Sequence, residues 1–298
     1  EAGQQSFQRA VELIDRINGR ANDRVRGFLS PMQIDTCSEE LLKQSKAKAL
    51  ELGVPLTLHA SQSVVEFNEM TRRHGLTPIE WLNEIGFLGP ETILGHAIIV
   101  GGGTWANYPA DDIGILADTG TSVAHAVWVF ARRGIAMESF SAYQDRGVNM
   151  TIATDTAPQS MLEALRYAAV VSKIMDRSTE LATAADVFNA ATLGGAKALG
   201  RSDLGRIAPG AKADMLFWAG QSLWMTPLRD PIRNIVYNAQ AEDIRHVMID
   251  GEMVMQDRTL TNIDEDEVTA GLQAAAERMW SRLPEGDWNN RTVDQLSP

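Results

Sequence analysis

The chain is poor in cysteine: Cys37 is the only one in 298 residues. An internal disulfide is therefore excluded, and such usage points to a reducing compartment, with the cytoplasm as the expectation. No run of eighteen apolar residues occurs, which excludes a hydrophobic membrane-spanning helix. The opening residues, Glu1 to Ser6, lack the basic-then-apolar order of a secretion signal and carry no initiator methionine. Positive charge is also scarce, since 27 Lys and Arg against 39 Asp and Glu leave a net charge of −12. No basic stripe is available for nucleic acid, and the excess acid reads as solubility. No histidine lies near Cys37, so it reads as a buried or turn thiol rather than a nucleophile.

What remains is an ordinary globular composition, 44% apolar and 22% charged. Helical spacing of apolar residues covers 4–19, 38–52, 64–73, 78–85, 110–118, 137–146, 161–178 and 184–199. Between them lie β-type runs at 25–34 (broken by Ser30-Pro31), 55–59, 92–100, 122–127 and 148–155. Strand and helix alternate in units of about 30 residues, the grammar of a parallel sheet with crossover helices. After Gly200 the pattern changes to turns and short strands, including 215–218, Ile235-Val236-Tyr237 and a pair turning at Asp250-Gly251. A closing helix over 269–283 and a loose tail from Pro284 complete the expectation.

Several of the β-type runs end on residues able to bind a metal or carry a proton. His59, His96 and His125 close three of them, and Asp155 closes a fourth. In a parallel α/β barrel the C-terminal strand ends form one mouth, so these side chains should share a cavity. Three of five histidines at strand ends suggest a metallohydrolase.

Other stretches stand in a specific order: Leu94-Gly95-His96-Ala97, Thr119 to His125, Gly147-Val148-Asn149, Asn189-Ala190-Ala191-Thr192, and the turn-rich Leu204 to Asp214. Each is weak alone, but their order and spacing are not. Over about Arg24 to Arg258 the chain resembles the amidohydrolase superfamily, in particular its triazine hydrolase, cytosine deaminase and guanine deaminase branch. The resemblance implies an α/β fold, a (β/α)8 TIM-type metal-dependent hydrolase barrel with a small C-terminal β-sandwich module. A full barrel takes roughly 250 residues, whereas only five strands precede residue 156, matching strands four to eight. The family's first-strand His-x-His pair has no counterpart among histidines 59, 74, 96, 125 and 246. The expected division is 1–202 for the C-terminal part of the barrel, 203–260 for the β-sandwich module and 261–298 for the closing helix and tail. The native full-length product or a partner is expected to cover strand four, and the expected partners are a second copy in a homodimer or a segment supplying strands one to three.

The same resemblance implies residue roles. His59 matches the fifth-strand metal ligand, and Asp155 the eighth-strand ligand that also takes the attacking water's proton. His96 matches the sixth-strand histidine that contacts the attacking hydroxide and in some members binds metal. One divalent ion is implied, Zn²⁺ ahead of Fe²⁺, since imidazole and carboxylate donors suit both. His125 matches a histidine that contacts the heterocycle, and Thr156, Pro158, Gln159 and Trp128 are expected around the substrate. His74 and His246 read as structural. Gln62 departs from the deaminases, which place Glu there to protonate a ring nitrogen. A neutral amide cannot act as that acid, so Gln62 is a candidate catalytic position of altered chemistry, with Glu66 the alternative acid. The expected activity is hydrolysis of a C–N bond or ring substituent of a nitrogen heterocycle, of deaminase or dechlorinase type. The rival is a catalytically incomplete barrel fragment with a structural or binding role.

Overall fold

A computed structural model describes residues 2–157 and 159–296. Its centre is a parallel sheet of four strands in sequential order: β1 (Leu56–Ala60), β2 (Thr92–His96), β3 (Ser122–His125) and β4 (Met150–Ile152). Each strand returns through helices, so all four C-terminal ends lie at one end of the sheet. The registers Ala60 to His96, Gly95 to Ala124 and His125 to Ile152 keep those ends level.

Helix starts follow from local chemistry. Ser38, Ser63, Ser139 and Ser160 each accept the backbone N–H three residues on, satisfying one orphan donor of the first turn. Thr77 forms a reciprocal capping box with Glu80, and Pro78 occupies the first helical position. The helix over Glu39–Leu52 stops at Gly53, whose φ of 62° suits glycine. Behind the sheet, Leu56, Leu58, Leu94, Val123 and Met150 pack with Ile79, Leu82, Phe87, Phe140 and Tyr143 in one core. Each fully buried Leu or Phe there contributes roughly 2 kcal/mol.

Several expectations need correction. The strand over 25–34 survives as isolated bridges: Val25 to Arg20, antiparallel, and two parallel ones to β1, Leu29 to Leu56 and Gln33 to His59. Pro31 has no N–H to give, and Met32 at φ 47° turns the chain between them. The strand from Thr92 ends at His96, because Ala97 adopts φ 48°. Ile235-Val236-Tyr237 is not a strand but the end of a helix, Pro231–Tyr237. Asp230 caps that helix and Pro231 opens it, so the start signal overrides the β-branched pair. The continuous helix expected over 184–199 is split by a π-turn at Ala190–Gly194. The tail is not wholly loose: the closing helix spans Glu265–Gly286, and a short one follows at Val293–Leu296.

The second sheet is antiparallel, in the order β5 (Met215–Trp218), β6 (Ile244–Ile249), β7 (Glu252–Gln256) and β8 (Thr259–Leu260). It forms one layer, not two, among the described residues, and Leu216, Phe217 and Ile249 are exposed on it. No helix among the described residues is long and apolar enough to cross a membrane.

Candidate active site

His96 closes β2, His125 closes β3, and His59 is the penultimate residue of β1. Asp155 follows three residues after β4. Beside three of these side chains the backbone turns sharply through the left-handed region, at Ser61 (φ 57°), Ala97 (φ 48°) and Asp155 itself (φ 62°). Such conformations are costly for non-glycine residues and persist only when neighbours hold them. Here Ala97 donates its N–H to the Ala60 carbonyl and accepts the Tyr143 hydroxyl at 2.6 Å. Ser61 donates its N–H to Glu66, and its carbonyl accepts the amides of both Ile98 and Ile99 at 2.8 Å.

His59 places Nδ1 2.6 Å from the Met32 carbonyl. A carbonyl only accepts, so Nδ1 carries the proton and Nε2 keeps a free lone pair. The His96 ring lies 5.4 Å from that of His59, centre to centre, and meets Phe130 edge-on at 4.5 Å. Its Nε2 is 3.5 Å from Asp155 Oδ2, and neither ring nitrogen has a hydrogen bond. Burial, reinforced by His59 and His125 nearby, pushes His96 down to about 3. Burial alone pushes His125 down to about 4, and its Nδ1 is unpartnered. Both rings are therefore neutral at pH 7, and Asp155 faces an uncharged His96 rather than an ion-pair partner. Buried ring nitrogens without partners cost about 1–3 kcal/mol each, so they are primed for a ligand.

Glu66 is buried on the Val64–His74 helix, one oxygen on the Ser61 amide and the other without a partner. Burial, only partly offset by that hydrogen bond, pushes its carboxyl up to about 7. Gln62 is half-buried in the same turn.

The structure thus brings together His59, His96, His125 and Asp155, with Gln62 on the adjoining turn. It does not gather the rest as closely. Thr156 and Gln159 stand exposed on the loop after β4, and Pro158 lies outside the described residues. Trp128 packs on Tyr167 of the Met161–Asp176 helix at 4.6 Å, with its indole N–H buried and unpartnered. Among the described residues, no group of three or more His, Cys, Asp or Glu is arranged to hold a metal ion. His59 and Asp155 supply the right donor chemistry but not a closed set. Sequence reasoning missed Met32, whose contribution is a backbone carbonyl, and Tyr143, which acts from a helix 46 residues away in sequence. Neither leaves a motif.

A cavity of about 810 Å³ lies at the opposite end of the strands, beside Pro55 and Glu91. Its charged groups are committed, with Arg24 on Glu252 and Arg201 on Asp203. It offers structural pairing rather than chemistry.

Comparison with known proteins identifies the family and the fold. Residues 1–254 match the amidohydrolase family. The chain is 34% identical over 268 residues to a 5'-deoxyadenosine deaminase of Methanothermobacter thermautotrophicus, covering 89% of this chain and 61% of that protein. An adenosine deaminase from Xanthomonas campestris, crystallised with bound zinc, superposes with a TM-score of 0.84 at 25% identity, over 91% of this chain and 61% of that one. A zinc complex of atrazine chlorohydrolase from Arthrobacter aurescens TC1 gives 0.83 at 22% identity, over 91% and 60%, a likeness of fold. The chain spans about three-fifths of the length of the curated relatives it matches.

Proposed function

The chain belongs to the amidohydrolase family, and from that premise we propose that it is a hydrolase that displaces a ring substituent from a nitrogen heterocycle. The observation that carries this is the cluster of His59, two neutral unpartnered imidazoles and the Asp155 carboxylate at the strand ends. Orphaned nitrogens in that number are hard to explain in a purely structural barrel fragment. Adenosine-type nucleosides are the first substrates to test, because relatives of this chain are named as 5'-deoxyadenosine deaminases.

The donors fit a divalent ion in kind. His59 through Nε2 and the Asp155 carboxylate would hold it, with His96 alongside, and Zn²⁺ suits nitrogen and oxygen donors. When bound, such an ion polarises water and makes it nucleophilic near neutral pH. Asp155 takes the attacking water's proton at Oδ2 and returns it to the departing group. His96, neutral, offers Nε2 beside the same oxygen and steadies that proton by hydrogen bonding. His125 presents a second buried nitrogen toward the ring. Gln62 orients the heterocycle by amide hydrogen bonds and transfers no proton. Glu66, buried one helical turn on with its carboxyl pushed up to about 7, is the remaining acid for a ring that must be protonated. Thr156, Gln159 and Trp128 form the outer wall, and residues 203–260 supply one layer of a β-sandwich.

The test is release of ammonia from 5'-deoxyadenosine by the zinc-supplemented protein. Asp155→Ala should reduce turnover at least about a thousandfold. Undiminished activity in that variant would reject the assignment.

A further inference from the structure

His96 owes its place to a strained turn. Ala97, the next residue, holds φ at 48°, a left-handed conformation that alanine keeps only where its neighbours impose it. Two hydrogen bonds pin this residue. Its N–H goes to the Ala60 carbonyl at 3.0 Å, and its own carbonyl accepts the Tyr143 hydroxyl at 2.6 Å. Ala97 is fully buried, so water cannot replace a donor lost there. Tyr143 is itself held firmly. It belongs to the helix Phe140–Asp145, which Ser139 caps and whose Ser141 hydroxyl accepts the Ala182 N–H at 3.1 Å. The Tyr143 carbonyl accepts the Val148 N–H at 2.9 Å. One turn earlier Phe140 is completely buried, its ring 5.8 Å from that of His125. One short helix thus serves both neutral imidazoles, packing beside one and reaching the other through a carbonyl.

We propose that Tyr143 is a positioning residue of the active site, whose hydroxyl, through the Ala97 carbonyl, fixes the turn that aims His96 Nε2 at Asp155. The role rests on the hydrolase reading, in which those two side chains handle the attacking water's proton. Nε2 stands 3.5 Å from Asp155 Oδ2, at the edge of hydrogen-bond reach, so a small rotation of the ring separates them. Without the hydroxyl the Ala97 carbonyl is buried and unpaired, and the turn relaxes toward negative φ to find a donor. That movement carries His96 with it, because neither ring nitrogen has a hydrogen bond of its own to resist. The phenol ring has a separate task. Its burial stabilises the core whether or not a hydroxyl ends it.

The experiment uses the whole zinc-supplemented chain with 5'-deoxyadenosine. Tyr143→Phe keeps the ring and removes the hydroxyl, so kcat should fall about tenfold while KM stays within about twofold. Glycine adopts positive φ freely, so adding Ala97→Gly should bring kcat back to within about threefold of Ala97→Gly alone. A defect confined to core packing would lower the unfolding temperature and gain nothing from that glycine. The zinc-free protein supplies a readout that needs no turnover. In carbon-13 histidine spectra, assigned with His96→Ala, Tyr143→Phe should move the His96 ring signals and leave those of His74 and His246 in place. If the wild type turns over no substrate, the hydrolase reading fails, and the ring signals alone decide whether Tyr143 positions His96. Unmoved His96 signals, or a loss of kcat that Ala97→Gly does not rescue, would overturn the proposal.

Discussion

At the scale of single residues, Glu66 makes the sharpest prediction. Its carboxyl sits at about 7 in the folded chain against an ordinary value of 4.5, raised by burial. A group whose folded value is raised adds stability that is fully present below the unfolded value and is lost as pH rises through the folded one. Relative to wild type, Glu66→Gln should therefore gain stability between pH 5 and pH 8. The gain should be on the order of 3 kcal/mol or less, because each tenfold change in proton affinity is worth about 1.4 kcal/mol. Urea unfolding of both proteins at the two pH values measures it, and a difference independent of pH would refute the buried-acid reading. Asp112 behaves in the same sense. Burial lifts it from 3.8 to about 6 despite hydrogen bonds from Thr77 and Gly101, so it adds to the loss of stability as pH rises between those values. His96 and His125 act oppositely, since rings kept neutral by burial are protonated more readily in the unfolded chain.

At the scale of elements, the π-turn at Ala190–Gly194 separates two adjacent glycines that look alike in sequence. A Cβ on Gly194 would stand 2.3 Å from the Met150 carbonyl oxygen, whereas one on Gly195 meets nothing within 4 Å. Gly194→Ala should cost about 1–3 kcal/mol by forcing the helix off β4. Gly195→Ala, at an ordinary helical φ of −60°, should instead gain about 0.5–1 kcal/mol. Thermal unfolding of the pair distinguishes them. The sequence does not separate these positions, because close approach to a strand's carbonyl leaves no periodic signal. The four parallel strands are legible because each is a short apolar run that ends at or just before a polar residue. The 25–34 run is not, since its pairing to β1 depends on where Pro31 interrupts the hydrogen bonds. The same contrast holds in the site. His59, His96, His125 and Asp155 announce themselves as polar residues at strand ends, whereas the Met32 carbonyl and the Tyr143 hydroxyl reach the site through tertiary folding alone.

At the scale of the whole molecule, ligand binding should register as stability. An ion that engages only the folded state stabilises it by about 2.7 kcal/mol at a hundredfold excess over its dissociation constant. Zinc titrated into the chelator-treated protein should therefore raise the unfolding temperature. His59→Ala should abolish that rise while leaving the zinc-free protein nearly unchanged, because the His59 side chain makes one hydrogen bond, to the Met32 carbonyl, and its backbone bonds survive the substitution. An identical rise in the variant would remove His59 from the donor set.

The Ser61 carbonyl, holding two amides from the segment beyond β2, also fixes how the molecule breathes. Ile98 and Ile99 cannot exchange their amide hydrogens with solvent until that oxygen lets go. Letting go unfastens the turn behind His59 together with the one behind His96. In deuterated water the two segments should therefore label in step, as one cooperative unit, and the imidazoles would come apart only by that shared opening.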